Sequence, residues 1–203
     1  MQMPIVSKRN NKYRFTGANR KIGRTTVWQI VGNGSDVVGG WIESERNLSF
    51  SGSCWISEDA SVYEQARISG DATVYGRAEI SGTAHIYDWA FVSGDAKVYG
   101  IARVYGDACV YGGTVHGNAE VYGRAYVGGN AEVRDTARVY DDAHISGKAK
   151  ILGDASLYNQ DIMTAQDVKE GFYHQQPQQK IEQERIPDKI VLDNLIHVHF
   201  GKK

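Results

Sequence analysis

The chain has 203 residues, with 23 Lys and Arg against 24 Asp and Glu, a formal net charge of −1 and 41% hydrophobic residues. That balance excludes a disordered chain and gives no general electrostatic reason to bind nucleic acid or a membrane, so a charged partner has to be argued from local patterning. No apolar run reaches the roughly 18 residues of a membrane span. The polar start MQMPIVSKRNNK lacks the apolar core of a secretory signal, so a soluble, cytoplasmic protein is expected.

Residues 1–53 predict a small β-rich cap built from KYRFTG, TTVWQIVG and GGWIESERNLSFSGSCWI, with Leu48 and Phe50 turned inward. A cap is needed because the bare end of a strand stack is an aggregation edge.

From residue 54 to 158 a period of six governs the chain, and internal repetition outranks local propensity as evidence for fold. The unit is Ala-x-(Val/Ile)-(Tyr/Ser)-Gly-x. Its aliphatic recurs from Ile56 to Val110 every six residues, steps five to Val115, then resumes to Leu157, giving eighteen hexads. Two residues before each aliphatic stands Ala, except for Cys54 at the start and Gly113 at the short step. Alternation along a strand points the aliphatic and the small residue inward and their neighbours outward. Gly two after the aliphatic makes a corner, replaced by Asp88, Asp135, Asp141 and Asn159, the next most tolerant types for positive φ. Three hexads per coil give about six coils. Cys54 and Cys109 fall roughly three coils apart, so both are expected as free thiols.

Residues 159–203 predict a short helix over DIMTAQDVKEGFY, a polar linker QQPQQKIEQERIP, and a strand or helix over DKIVLDNLIHVHF. This tail is expected to cap the last coil or reach a neighbouring subunit.

Every third hexad shares a face. On the first face the outward positions after the aliphatics are Ser69, Tyr87, Tyr105, Tyr122, Tyr140 and Tyr158, beside Arg67, His85, Arg103, Glu120, Arg138 and Ser156. The second face carries Trp55, Thr73, Phe91, Cys109, Tyr126 and His144, with Tyr75 and Tyr111 alongside and no Asp, Glu, Lys or Arg. The third pairs Glu79 with Lys97 and Glu132 with Lys150 on successive coils, near His116 and Arg134.

The hexads resemble the hexapeptide-repeat superfamily, which implies an all-β, left-handed parallel β-helix. The flanks resemble the amino-terminal part of bacterial and phage members, including the YdcK-like acyltransferases. That resemblance implies acyl transfer, with acyl-CoA as cosubstrate and a His at a subunit interface as general base: His85, His116 or His144. It also implies a zinc-dependent chemistry that needs three converging histidines.

The residues themselves favour neither. The ladder runs without an extruded loop, and His85, His116 and His144 fall on three different faces. His197 and His199 form an HxH pair in the tail, more often a chance spacing than a metal site. No phosphate-cradling glycine loop or nucleophile elbow is present, so no cofactor and no metal are expected.

A non-catalytic binding scaffold remains. It would form a homodimer or homotrimer through the second face, with Trp55, Tyr75, Phe91, Tyr111 and Tyr126 at the interface. It would recognise a partner protein or a nucleotide-like ligand through Tyr87, Tyr105, Tyr122, Tyr140 and Tyr158 with Arg67, Arg103 and Arg138. The phage resemblance adds a host-directed inhibitor or a messenger sponge as a specific form.

Overall fold

A computed structural model of the chain describes residue 4 and residues 10–159, 161–162, 167–170 and 172–174. The hexads close into a parallel β-solenoid of three sheets: among the described residues two have seven strands, and the third has ten because the cap adds three. The solenoid strands are two or three residues long, and each pairs in register with the strand about one coil away, as Arg103 and Val104 do with His85 and Ile86 on one side and Glu120 and Val121 on the other. The ladder aliphatics from Ile56 to Leu157 and the alanines between them are buried, and together they form one continuous core along the axis.

The five-residue step keeps every face. Val110 pairs with Val92 and Val127, and the next strand, Thr114–Val115, pairs with Lys97–Val98 and Glu132–Val133. The tightened corner draws the backbone inward: a Cβ on Gly113 would lie 2.8 Å from Val127 Cγ1 and 3.2 Å from the Ala131 carbonyl. Only glycine fits there, which explains the missing alanine.

Two corners depart from the Gly/Asp/Asn expectation. Glu58 and Glu64 hold φ of 56° and 58°, a conformation that disfavours side chains with a Cβ. Their carboxylates accept hydrogen bonds from the backbone N–H of Gly76 (2.9 Å) and Gly82 (2.6 Å), one coil ahead. Asp88 and Asp135 do the same for Gly106 and Gly153. Length suffices for Glu to serve as a corner where the next corner offers a free donor.

Ladder N–H groups donate toward the following coil, as Trp55 does to Ala72 and Arg67 to Ala84. The carbonyls of the first coil therefore face the open amino-terminal end and need donors. The cap supplies them. Strands β1 (Tyr13–Ile22), β2 (Thr25–Gly32) and β3 (Val38–Ile42) form an antiparallel unit, and β3 joins Ser61–Val62 in parallel. Buried Asn47, in a 3₁₀ turn over Glu45–Asn47, donates to the carbonyls of Glu64 and Ala66 at 3.2 and 2.9 Å. The Lys12 ammonium sits against the carbonyls of Ser49 (2.9 Å), Ser51 (3.4 Å) and Cys54 (3.3 Å) and the Cys54 thiol (3.3 Å). Leu48 extends the inward ladder by a bridge to Ile68, while Phe50 is half-buried and stacks obliquely on Tyr13 at 6.2 Å.

The carboxyl-terminal expectation is corrected. Where a short helix was expected over 161–173, the described residues form strands Asp161–Ile162, Asp167–Val168 and Phe172–His174, which pair with the sixth coil. Among the described residues the coil count becomes seven, not six. The spacing of the paired positions Leu157, Ile162, Val168 and Tyr173 runs five, six, five, without the Ala and Gly landmarks, so the period fades although the pairing continues. Cys54 and Cys109 are free thiols, as expected. The tail beyond His174, with its linker and the His197/His199 pair, lies outside the described residues.

Candidate recognition surface

The first face is assembled by its register. Arg67, His85, Arg103, Glu120, Arg138 and Ser156 lie on successive rungs, and the residue two further on in each rung carries the tyrosines. Their rings stack at centroid distances of 4.8 Å (Tyr87–Tyr105), 4.9 Å (Tyr105–Tyr122), 5.0 Å (Tyr122–Tyr140) and 5.2 Å (Tyr140–Tyr158), with interplanar angles of 5°, 5°, 4° and 19°. The coil repeat of about 4.8 Å dictates that spacing. All five rings are half-buried.

The ladder is closed at its first ring by His85, which tilts over Tyr87 at 4.6 Å and shares a 2.8 Å hydrogen bond between Nε2 and the Ser69 hydroxyl. Burial, then the charges of Arg67 and Arg103, push the His85 imidazole below its ordinary value, so it is neutral near pH 7. Burial also raises the Tyr87, Tyr122 and Tyr140 phenols, and takes Tyr105 up to about 12 with help from Glu120 and the neighbouring phenols. These four hydroxyls stay protonated at physiological pH, a row of neutral donors.

Charge along the face is uneven. Glu120 bonds Arg103 at 3.0 Å and lies 3.7 Å from Arg138, so the middle rungs are compensated. Arg67, exposed on the first rung, has no carboxylate partner among the described residues.

On the second face Phe91 and Tyr111 are 45% and 54% exposed, and Tyr75 meets Phe91 edge-on at 6.0 Å. Tyr126 folds back over Gly128 and tilts against His144 at 4.5 Å. Trp55, expected at the same interface, packs instead against Gly39 of β3 and the core. The cap covers it. Cys109 is half-buried here, and burial pushes its thiol up. The seventh coil brings the backbone of Asp161 into register with His144.

The third face is an ion network. His116 stacks on Tyr99 at 4.7 Å and meets Glu132 at 3.0 Å, with Lys150 at 3.7 Å and Arg134 at 3.6 Å from the same carboxylate. The His116 hydrogen bond holds the Glu132 carboxyl below its usual range. Glu79 and Lys97 stand in register as expected.

His85, His144 and His116 thus occupy three faces, and among the described residues no group of three or more His, Cys, Asp or Glu is placed to hold a metal ion. Two surface clefts lie at the ends of the solenoid: one of about 650 Å³ beside Arg134, Lys150 and Asp167, and one of about 540 Å³ beside Arg46 and Arg67. Neither lies over the tyrosines. The first face is a ridge of ring edges and hydroxyls rather than a pocket.

Reading the faces alone missed the corners. Between the first and second faces the corner positions run Ser53, Asp71, Trp89, Asp107, Arg124 and Asp142, and Trp89 is 64% exposed between Tyr87 and Phe91. A single aromatic in a polar column was the available signal. Among the described residues no helix is long and apolar enough to cross a membrane.

A family model described as YdcK Beta solenoid repeat matches residues 66–82, about one coil. No curated protein matches the chain. The chain is therefore similar, over one coil, to the β-solenoid repeat of YdcK.

Proposed function

We propose that this protein is a non-catalytic binding scaffold that captures a partner through its Tyr/Arg face and self-associates through its second face as a dimer or trimer, in a bacterial cytoplasm. The observation that carries the reading is the stack of five tyrosines in register beside Arg67, Arg103 and Arg138. Aromatic and Arg side chains dominate protein hot spots. Of the two ligand classes, a partner protein fits better than a nucleotide. A base inserted between two rings needs about 7 Å, twice the roughly 3.5 Å contact distance, and these rings are 4.8–5.2 Å apart. Tyr87 is already covered by His85. A captured chain would meet ring edges and hydroxyls.

The second face supports association because, through six coils, a facing copy would have no charge to desolvate there. Phe91, Tyr111 and the corner Trp89 offer exposed aromatic anchors. Tyr75 and Tyr126 would pack beneath them.

The test compares wild type with Tyr105→Ala/Tyr122→Ala. Immobilised wild type should retain a protein from bacterial extract that the variant releases, while calorimetry with acetyl-CoA shows no heat of binding. Saturable acetyl-CoA binding that Tyr105→Ala/Tyr122→Ala leaves intact would instead favour acyl transfer with an interface histidine.

A further inference from the structure

We infer that the amino-terminal end of the first face docks an acidic polypeptide segment, its carboxylates held by Arg46 and Arg67. This deepens the scaffold reading and rests on it: the face must be a recognition surface for its end to be an anchor.

The cleft of about 540 Å³ lies where the 3₁₀ turn of the cap meets the first rung of the first face, and is lined by Arg46, Arg67, Gln65, Ser49, Ser51 and Phe50. Arg46 and Arg67 are both exposed, and neither has a carboxylate partner among the described residues. Elsewhere on the solenoid, guanidiniums close on carboxylates: Arg77 on Asp95 at 2.7 Å, Arg124 on Asp142 at 2.6 Å, Arg103 on Glu120 at 3.0 Å. Glu45, the one carboxylate among the described residues that line the cleft, accepts a 3.4 Å hydrogen bond from Asn10. The cleft thus pairs two open cations from different elements with amide and hydroxyl groups, complementary to carboxylates that Arg binds in a two-pronged fashion.

The cleft runs on into the ladder. Arg67 is in register with His85, whose ring leans on Tyr87 and bonds Ser69, and the tyrosine row follows. An extended chain anchored by carboxylates at Arg46 and Arg67 would lie along phenol rings whose centroids repeat every 4.8–5.2 Å, and their hydroxyls can donate to its carbonyls and side chains. A small anion would use the cleft alone. A nucleic acid would want ring faces, and those are closed.

Fluorescence anisotropy with a short labelled polyglutamate peptide tests this on the full chain, against an oligothymidylate of matched length and inorganic phosphate as competitor. Polyglutamate should bind saturably, and Arg46→Gln/Arg67→Gln should weaken it about ten-fold, the scale of one lost charge-assisted contact pair. Tyr105→Ala/Tyr122→Ala should weaken it independently. Both variants should keep the wild-type far-ultraviolet spectrum, since every changed side chain lies outside the buried aliphatic ladder. Loss with the tyrosine variant alone overturns the docking cleft and leaves the face standing. Loss with the arginine variant alone keeps the cleft and overturns the face. Equal or tighter oligothymidylate binding, displacement by phosphate at concentrations comparable with the peptide's own Kd, or no polyglutamate binding at all each overturns the acidic-polypeptide assignment.

Discussion

At the residue scale, the corners show how a strict repeat tolerates exceptions. Glu64 holds φ at 58° while its carboxylate bonds the Gly82 amide at 2.6 Å. Glu64→Ala keeps the strained backbone and removes the bond, so chemical denaturation should show a loss of about 1 kcal/mol. Glu64→Gly removes the bond and the strain together and should be near neutral, because relieving a left-handed residue returns about 1–2 kcal/mol. An equal loss in both would mean that the carboxylate, not the conformation, is what matters. Lys12 is the second such residue. Lys12→Met removes the ammonium that donates to the carbonyls of Ser49, Ser51 and Cys54, and the melting temperature should fall by an amount corresponding to roughly 1–3 kcal/mol. An unchanged melt would show that solvent replaces the ammonium at no cost.

At the scale of elements, the hexads were legible because one inward aliphatic, one alanine and one glycine per six residues leave little choice of strand, face or corner. The register of all three faces followed from counting, across the five-residue step as well. Gly113 is where the count and the packing coincide: the residue that breaks the alanine column sits where a methyl would strike Val127. The seventh coil was not legible, since its paired positions step five and six residues and a sequence such as DIMTAQDVKEGFY satisfies helix propensity as easily as a fading ladder. Trp89 and Arg46 were missed because corners and cap turns lie outside the alternation that defines the faces. The tyrosine ladder makes its own prediction. In the folded state the Tyr87, Tyr122 and Tyr140 phenols titrate above their ordinary value, and Tyr105 at about 12. The folded state therefore holds stability that is full below about pH 10 and is lost as pH rises through the ladder's range. Thermal melts at pH 8 to 11 should show wild type losing more stability with alkali than Tyr105→Phe/Tyr122→Phe. Parallel losses would place the alkaline sensitivity elsewhere.

At the scale of the molecule, three faces with different chemistry emerge from one repeat: a neutral aromatic and cationic ridge, an aromatic face uncharged through six coils, and an ion network around Glu132. The cap closes one end by giving donors to carbonyls that the coil direction leaves open. Exposed Phe91 and Tyr111 on the second face, with Trp89 at its corner, should hold two or three copies together. Multi-angle light scattering at micromolar concentration should give a dimer or trimer mass, and Phe91→Lys/Tyr111→Lys should reduce it to that of a monomer without changing the far-ultraviolet spectrum. A monomeric wild type would remove the second face as an association surface.

Hydroxyl-radical footprinting of the protein alone and with its retained partner bears on the recognition face itself. Tyr105, Tyr122 and Tyr140 should become protected in the complex while Tyr99 of the third face keeps its reactivity. Unchanged labelling of the ladder tyrosines in a saturated complex would show that the stack is a structural spine and that the partner binds elsewhere.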